Sequence, residues 1–260
     1  LDTFFKRAVV KVNGQASDLV DETIITEYPL NLYVNDKEFC TFYCTPENLD
    51  ELIIGHLTSR GRLSTRQGLK NIAIDVKQHT AKVQLEKPAS EPQTATPGEP
   101  LVVKIQTVYE IMEKNIAPTE LFKETGGFHR VAIYDQDKEI VARMDVARHN
   151  AVDKVIGYCI QNGIDCSDKL LVVSGRISAD MLEKAAQGKI PVVLSKSAPT
   201  SLSIEKAEQT GITLVGFVRG ERMNVYTHPQ RIDLGDALFG KIAKKKRMEY
   251  LRNSLEYLRY

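Results

Sequence analysis

TGGFHRVAIYDQDKEIVARMDVARHNAVDKVIG, residues 125–157, carries the chain's least ordinary run of side chains. It reads as glycine turn, strand, turn, strand, polar loop and helix. In Thr125-Gly126-Gly127-Phe128-His129 the paired glycines leave backbone amides free and give another molecule room to approach. Alternating apolar residues predict strands at 131–134 and 140–144, returning antiparallel through Asp135-Gln136-Asp137-Lys138. Beyond Asp145 and Ala147-Arg148-His149-Asn150, the residues Val152, Val155, Ile156, Cys159 and Ile160 recur at i, i+3, i+4, i+7 and i+8, the buried face of a helix. His149, Asn150, Asp153 and Lys154 then crowd that helix's first turn, where unpaired N–H groups favour an anion. The plainer account makes Asn150 an N-cap, Asp153 a first-turn acid and His149 a hydrogen-bonded structural residue.

Past Gly163 the pattern becomes regular: strand 170–174, helix 178–187, strand 190–194, helix 201–209, strand 212–219. Strands alternating with single helices predict a substantially parallel sheet covered on both faces. Such a sheet carries its functional loops at the carboxyl ends of its strands. Those loops are Ser174-Gly175-Arg176, the turn 195–200 with Lys196, Ser197 and Thr200, and Phe217-Val218-Arg219-Gly220-Glu221-Arg222. Each holds a cation beside small or hydroxyl residues, which suits phosphate, and Phe217 could stack on a base. The alternative is a solvated rim of scattered charges. Neither G-x-G-x-x-G nor a Walker lysine loop occurs.

Upstream, short strands at 8–12, 23–27, 30–34 and 39–43 predict a small β unit, with Val34-Asn35-Asp36-Lys37 as a hairpin turn. Thr45-Pro46 should open a helix with Thr45 as its cap and Leu49, Leu52, Ile53 and Leu57 inward. Strands at 72–76 and 81–85 complete the unit. Residues 86–100 turn to Pro, Ser, Thr and Glu without periodicity, a linker or long mobile loop. A helix at 102–115 follows. Three parts result: a small β-rich domain with one helix at 1–100, an α/β domain at 101–240, and a basic amphipathic helix at 241–260 that packs on the body or on a second subunit.

With 42% hydrophobic and 27% charged residues the composition is that of a globular protein. The net charge of +1 divides into +5 over residues 241–260 and −4 over the rest, so the body is no nucleic-acid surface by bulk charge. No apolar run reaches membrane-span length and no signal-peptide pattern opens the chain, making the cytoplasm the expected compartment. The chain starts Leu-Asp-Thr, as the ordered part of a longer product would. Cys40, Cys44, Cys159 and Cys166 are too few for a disulfide framework, and Cys40 and Cys44 share a strand face suited to packing. The His-x-Glu and Pro-Cys-x-x-Cys of a zinc deaminase are missing, and no nucleophile elbow supports a Ser-His-Asp site at Ser174 or Ser197.

The ordered motifs TGGFH (125–129), DVARHNAVDKVIG (145–157), SGRIS (174–178), KSAPTSL (196–202) and LVGFVRGERMNVYTHPQRI (214–232) resemble the FdhD/NarQ family, the formate dehydrogenase accessory sulfurtransferases. EYPLNLYVN (27–35), CTPENLDELIIGHL (44–57) and RGRL (60–63) are similar as well, so the likeness covers nearly all of residues 23–232. It implies an α/β fold, α+β overall: a three-layer cytidine-deaminase-like domain without zinc, plus the smaller N-terminal domain, in a homodimer. It also implies a function: taking sulfur from a cysteine desulfurase as a cysteine persulfide and passing it to the molybdenum cofactor, bis-molybdopterin guanine dinucleotide, before insertion into formate dehydrogenase. By the same likeness residues 217–222 are the best-matched cofactor-binding segment, with GDP as a fragment mimic. Thr125, Gly126, Gly127, His129, Arg148, His149, Asn150, Lys154, Ser174, Arg176, Ser197 and Thr200 complete the candidate rim, and no metal ligand is expected.

The sequence departs from the family in one respect that bears on chemistry. Members carry Cys-x-x-Cys in a loop ahead of the TGG turn, whereas residues 86–124 hold no cysteine. Either the persulfide carrier is lost, leaving a module that binds and delivers the cofactor, or the loop was left out of the chain, which the start without Met and the mobile-looking 86–100 stretch favour. Cys44 matches the family's CTP but is not its persulfide cysteine. Ala147 stands where Gly is common.

Overall fold

The computed structural model describes residues 1–86, 101–116 and 126–234. The first part runs β1 (Phe4–Asn13), β2 (Ala16–Ile25), β3 (Tyr28–Val34), β4 (Lys37–Cys44), α1 (Leu49–Ser59), β5 (Leu69–Asp75) and β6 (Thr80–Leu85). The second runs β7 (Val103–Lys104), α2 (Ile105–Ile116), β8 (His129–Asp135), β9 (Lys138–Asp145), α3 (Arg148–Gln161), β10 (Leu170–Val173), α4 (Ala179–Gln187), β11 (Val192–Ser195), α5 (Ser201–Thr210), β12 (Thr213–Arg219), β13 (Arg222–Val225) and β14 (Ile232–Asp233). The linker at 86–100 and the basic segment at 241–260 fall, but for Glu86, outside the described residues, as does Thr125. No described helix is long and apolar enough to cross a membrane.

In the small unit a four-stranded sheet in the order β4-β3-β6-β5 closes over α1. Successive strand residues point to opposite faces, so Leu30, Leu32, Phe42, Cys44, Ala81 and Val83 meet Leu52, Ile53 and Leu57 of the helix. Ahead of it, β1 and β2 pair over ten residues as a separate hairpin that is exposed along most of its length. Sequence periodicity located only parts of these two strands.

The larger unit is a six-stranded sheet in the order β13-β12-β11-β10-β8-β9 between helices. Val131, Ile133, Leu171, Val173, Val193 and Leu214 face α3 and α4. Their alternates Ala132, Tyr134, Leu170, Val172, Val192, Leu194 and Val215 face α2. Burial on both faces is what the near-continuous apolar runs of β10 and β11 require. The expected parallel sheet needs correction: only β10-β11-β12 run parallel, while β8, β9 and β13 run antiparallel. Hairpin returns at both edges make the sheet mixed, and alternation of strands with helices reported only its centre.

The two units join where α1 crosses α3, backbone on backbone. A Cβ on Gly55 would lie 1.8 Å from the Asp153 carbonyl oxygen, and one on Gly157 1.9 Å from that of Glu51. Around this crossing lies a seam of buried ions. Lys154 Nζ sits 2.7 Å from Asp145 Oδ2 with both side chains fully buried, and donates to Thr45 O at 3.1 Å. The Thr45 amide donates to the same carboxylate at 3.1 Å, and Thr45 Oγ1 accepts from the Val146 amide. Thr45 is therefore not the cap of α1, whose first residue follows Asn48 in the left-handed region. Asn150 is not a cap either: α3 starts from Ala147, and Asn150 Nδ2 donates to Tyr43 O at 2.8 Å and to Asp145. Arg143 clasps Glu51 with two bonds of 2.6 Å. Charges so deep are tolerable only because each has its partner.

Candidate functional site

The loops at the carboxyl ends of β10, β11 and β12 lie side by side. Ser195 Oγ donates to Gly175 O at 2.7 Å and accepts from the Ser197 amide at 2.9 Å, tying the second loop to the first. The Phe217 amide donates to Ser197 O at 3.1 Å, and Arg219 Nε to Lys196 O at 3.2 Å, tying the third to the second. Gly216 permits this closeness, since a Cβ there would stand 3.0 Å from both Ser197 O and Pro199 Cδ. Thr200 caps α5 in a reciprocal capping box with Ser203, so its hydroxyl serves the helix end.

A bulge between Gly216 and Arg219 interrupts the β12–β13 ladder and puts Phe217 at φ 54°. A bulky aromatic in the left-handed region is a strained conformation, and such strain gathers at ligand sites. The strain keeps the ring outside: Phe217 is 38% exposed while its neighbour Val218 is buried in the core beneath. The Arg219 guanidinium lies 5.7 Å from the ring centroid. Phe217, Arg219, Arg222, Met223 and Asn224 line a cleft of about 210 Å³. Arg176, Arg219, Gly220, Glu221 and Arg222 are exposed, and none of these arginines, nor Lys196, forms an ion pair among the described residues.

The turn before β8 and the start of α3 make a second patch. Gly126 and Gly127 are exposed, and Gly126 has φ 64°. A Cβ on Gly175 would meet His129 Nδ1 at 3.1 Å and Arg148 Cδ at 3.6 Å, so His129 and Arg148 both touch the β10 loop. The Arg130 amide donates to Ser174 Oγ at 3.1 Å. His149 Nε2 lies 3.3 Å from Ser178 Oγ and 3.7 Å from Asp180. Arg148 Nε is buried with no hydrogen-bond partner among the described residues. Burial and the Arg148 charge push the titration of His129 below the usual histidine value, and burial, Arg148 and Lys184 do the same to His149. Both rings are neutral near pH 7. Lys154 and Asn150 are not part of this surface; they belong to the buried seam.

Sequence reading passed over His56, Ser59 and Lys184. All three converge on Asp153, at 3.1 Å from His56 Nδ1, 2.7 Å from Ser59 Oγ, and 2.8 and 2.9 Å from Lys184 Nζ. Burial opposes ionisation of Asp153, but the His56 hydrogen bond and the Lys184 charge outweigh it and hold the carboxyl below the ordinary carboxylate value. No sequence spacing announces a cluster assembled from three helices.

The thiols show no persulfide carrier of the ordinary kind, which needs a depressed pKa. Burial pushes Cys44 up to about 12 and Cys40 up to about 11. Cys166 is raised by its contact with Cys159 and by burial. Cys40 is half-buried; the other three are buried. Among the described residues no group of His, Cys, Asp or Glu is placed to hold a metal ion.

The FdhD/NarQ family matches residues 25–99 and 89–233 of the chain. The "Sulfur carrier protein FdhD" of Geobacillus kaustophilus is 38% identical, with 88% of this chain and 97% of that protein covered. That of Bacillus subtilis is 36% identical over 82% of this chain and 91% of its own length. A crystal structure described as a formate dehydrogenase accessory protein from Desulfotalea psychrophila superposes with a TM-score of 0.76 at 25% identity, covering 89% of this chain and all of that one. The Geobacillus alignment runs over 259 positions yet takes in only 88% of a 260-residue chain, so part of it has no counterpart here. The two family segments overlap at 89–99, inside the span where the cysteine pair was expected. Residues 86–124 of this chain hold no cysteine. A β-rich unit joined to a mixed α/β sheet, and a family match that runs from residue 25 to residue 233, place this chain in the FdhD/NarQ family.

Proposed function

We propose that the chain acts in formate dehydrogenase maturation as an FdhD-type sulfur carrier, and that it holds the guanine-dinucleotide end of its cargo, the molybdenum cofactor, on the rim built by residues 174–176, 195–200 and 217–222. Its relatives' designation as sulfur carriers supports the first part. The observation that carries the second is Phe217, a strained, exposed ring flanked by two arginines without acid partners. The ring offers a face to a purine, and Arg219 and Arg222 offer charge-assisted bonds to the diphosphate beside it. Gly126, Gly127, His129, Arg148 and His149 would meet the more distant part of the cargo. The donor in this reading is a cysteine desulfurase, the recipient a formate dehydrogenase, and the working form a homodimer. The six-stranded sheet between α2 and α3–α5 supports a cytidine-deaminase-like description of the larger unit.

A second reading is favoured by one observation: the chain lacks the expected cysteine pair, and three of its four thiols are buried. In it the protein binds and delivers the cofactor without moving sulfur. Expression in a bacterium deleted for its own sulfur carrier protein tests the first reading, with restored formate dehydrogenase activity expected. No restoration by a well-expressed, folded chain would sink it. Restoration without sulfur uptake from desulfurase and cysteine on any of the four thiols would select the second.

A further inference from the structure

The half-buried thiol of β4 has company that the three buried ones lack. Cys40 Sγ lies 3.8 Å from His56 Nε2, at the long end of a sulfur hydrogen bond. His56 Nδ1 lies 3.1 Å from Asp153 Oδ2, and Asp153 is held by Ser59 and Lys184. An ionised carboxylate only accepts, so Nδ1 must carry the ring proton. That leaves the lone pair of Nε2 aimed at the thiol. The ring is fixed further by edge-on contacts with Phe39 and Phe42. Thiol, imidazole and carboxylate thus stand in the order of a nucleophile, its base and the group that orients the base.

We propose that Cys40 is the sulfur-accepting thiol of this chain, with His56 as its general base, Asp153 as the residue positioning that base, and a small or protein-borne persulfide as the donor. The inference rests on the sulfur-carrier reading and supplies the group that reading lacks. Cys40 Sγ attacks the outer sulfur of R–S–SH while its proton passes to His56 Nε2. A bond forms between Sγ and that sulfur, the donor's S–S bond breaks, and the departing thiolate takes the proton from His56. The products are Cys40–S–SH and R–SH, with no net oxidation or reduction. Burial leaves little Cys40 thiolate at neutral pH, so loading has to go together with proton transfer, and His56 becomes indispensable there. The other charges facing the thiol are Arg60 after α1, Asp153 on α3 and Lys184 on α4. Arg60 and Lys184 also approach Asp180, at 3.9 and 4.0 Å, and Asp180 meets His149. Charges that act on the thiol are thus linked through Asp180 to His149, at the start of α3, where the cargo is expected.

The test is to treat the full chain with glutathione persulfide at neutral pH and follow added sulfur by intact mass and peptide mapping. The wild type should gain one sulfur, on Cys40, and Cys40→Ser none. His56→Asn should load on the order of a hundredfold more slowly near pH 7 and recover the wild-type rate as the pH approaches that of the free thiol. A merely structural histidine would not produce that convergence. Should Cys40→Ser fold poorly, the wild-type peptide map and the His56→Asn profile still decide. Sulfur on another cysteine, none on any, or identical pH profiles for wild type and His56→Asn would overturn the proposal. GDP binding by the same preparations separates the two readings: GDP bound with no sulfur taken up refutes only the Cys40 site, whereas sulfur on Cys40 without GDP binding refutes only the rim.

Discussion

The seam between the two units and the rim at the sheet's edge are built from the same kinds of side chain and put them to opposite uses. At the seam, Lys154, Asp145, Asp153, Lys184, Glu51 and Arg143 are paired at 2.6–2.9 Å and largely out of water. At the rim, Arg176, Lys196, Arg219 and Arg222 have no acid partner among the described residues, and Phe217 is turned outward at a conformational cost. A buried charge without a partner is intolerable, so the seam must be internally complete. An exposed cation keeps its hydration until something anionic displaces it. The first arrangement fixes one geometry of the two units; the second is open to a ligand.

The largest expected effect tests that completeness. Lys154→Met strands Asp145 in the interior and should lower unfolding stability by about 3–5 kcal/mol, read as a shifted urea midpoint. GDP affinity of the folded fraction should stay the same. If affinity falls with stability, Lys154 belongs to the rim after all. Next comes the reverse experiment, in which Arg219→Ala with Arg222→Ala should weaken GDP by about ten- to a hundredfold in calorimetry. The melting temperature should be unchanged, because neither side chain has a buried partner to strand. Unaltered GDP affinity would put the ligand elsewhere.

The smallest effect concerns the histidines. His129 and His149 titrate below their ordinary value in the free protein, through burial and the nearby Arg148. A bound phosphate favours the protonated rings and raises those values, so binding takes up protons and GDP affinity should rise as the pH falls below about 6.5. A gain of a fewfold places the diphosphate near the start of α3. A flat profile confines it to the 217–222 hairpin.

Much of the local structure was legible in the sequence. Alternation in residues 131–144 located β8 and β9, and the i, i+3, i+4 recurrence from Val152 located α3. The family motifs located the three loops whose hydrogen bonds now join them. The errors share one cause. Thr45 and Asn150 have the composition of helix caps, but each has a better partner about a hundred residues away, in Val146 and Tyr43 respectively. The alternation of strands and helices after Gly163 implied a parallel sheet because the antiparallel edge strands come from hairpins whose place in the sheet no spacing records.

Periodicity, turn chemistry and ordered motifs determined the elements, the family and the three rim loops, since each depends on neighbours within a few residues along the chain. Which charges were already engaged depended on the tertiary structure alone. Asp153 and Lys154 are adjacent in an ordinary helix turn, yet the close glycine crossing of α1 and α3 carries one to His56 and Lys184 and the other to Asp145 and Thr45. An ion's partner is set by distance in space, so only the folded chain separates the cations that hold the protein together from those left to meet a ligand.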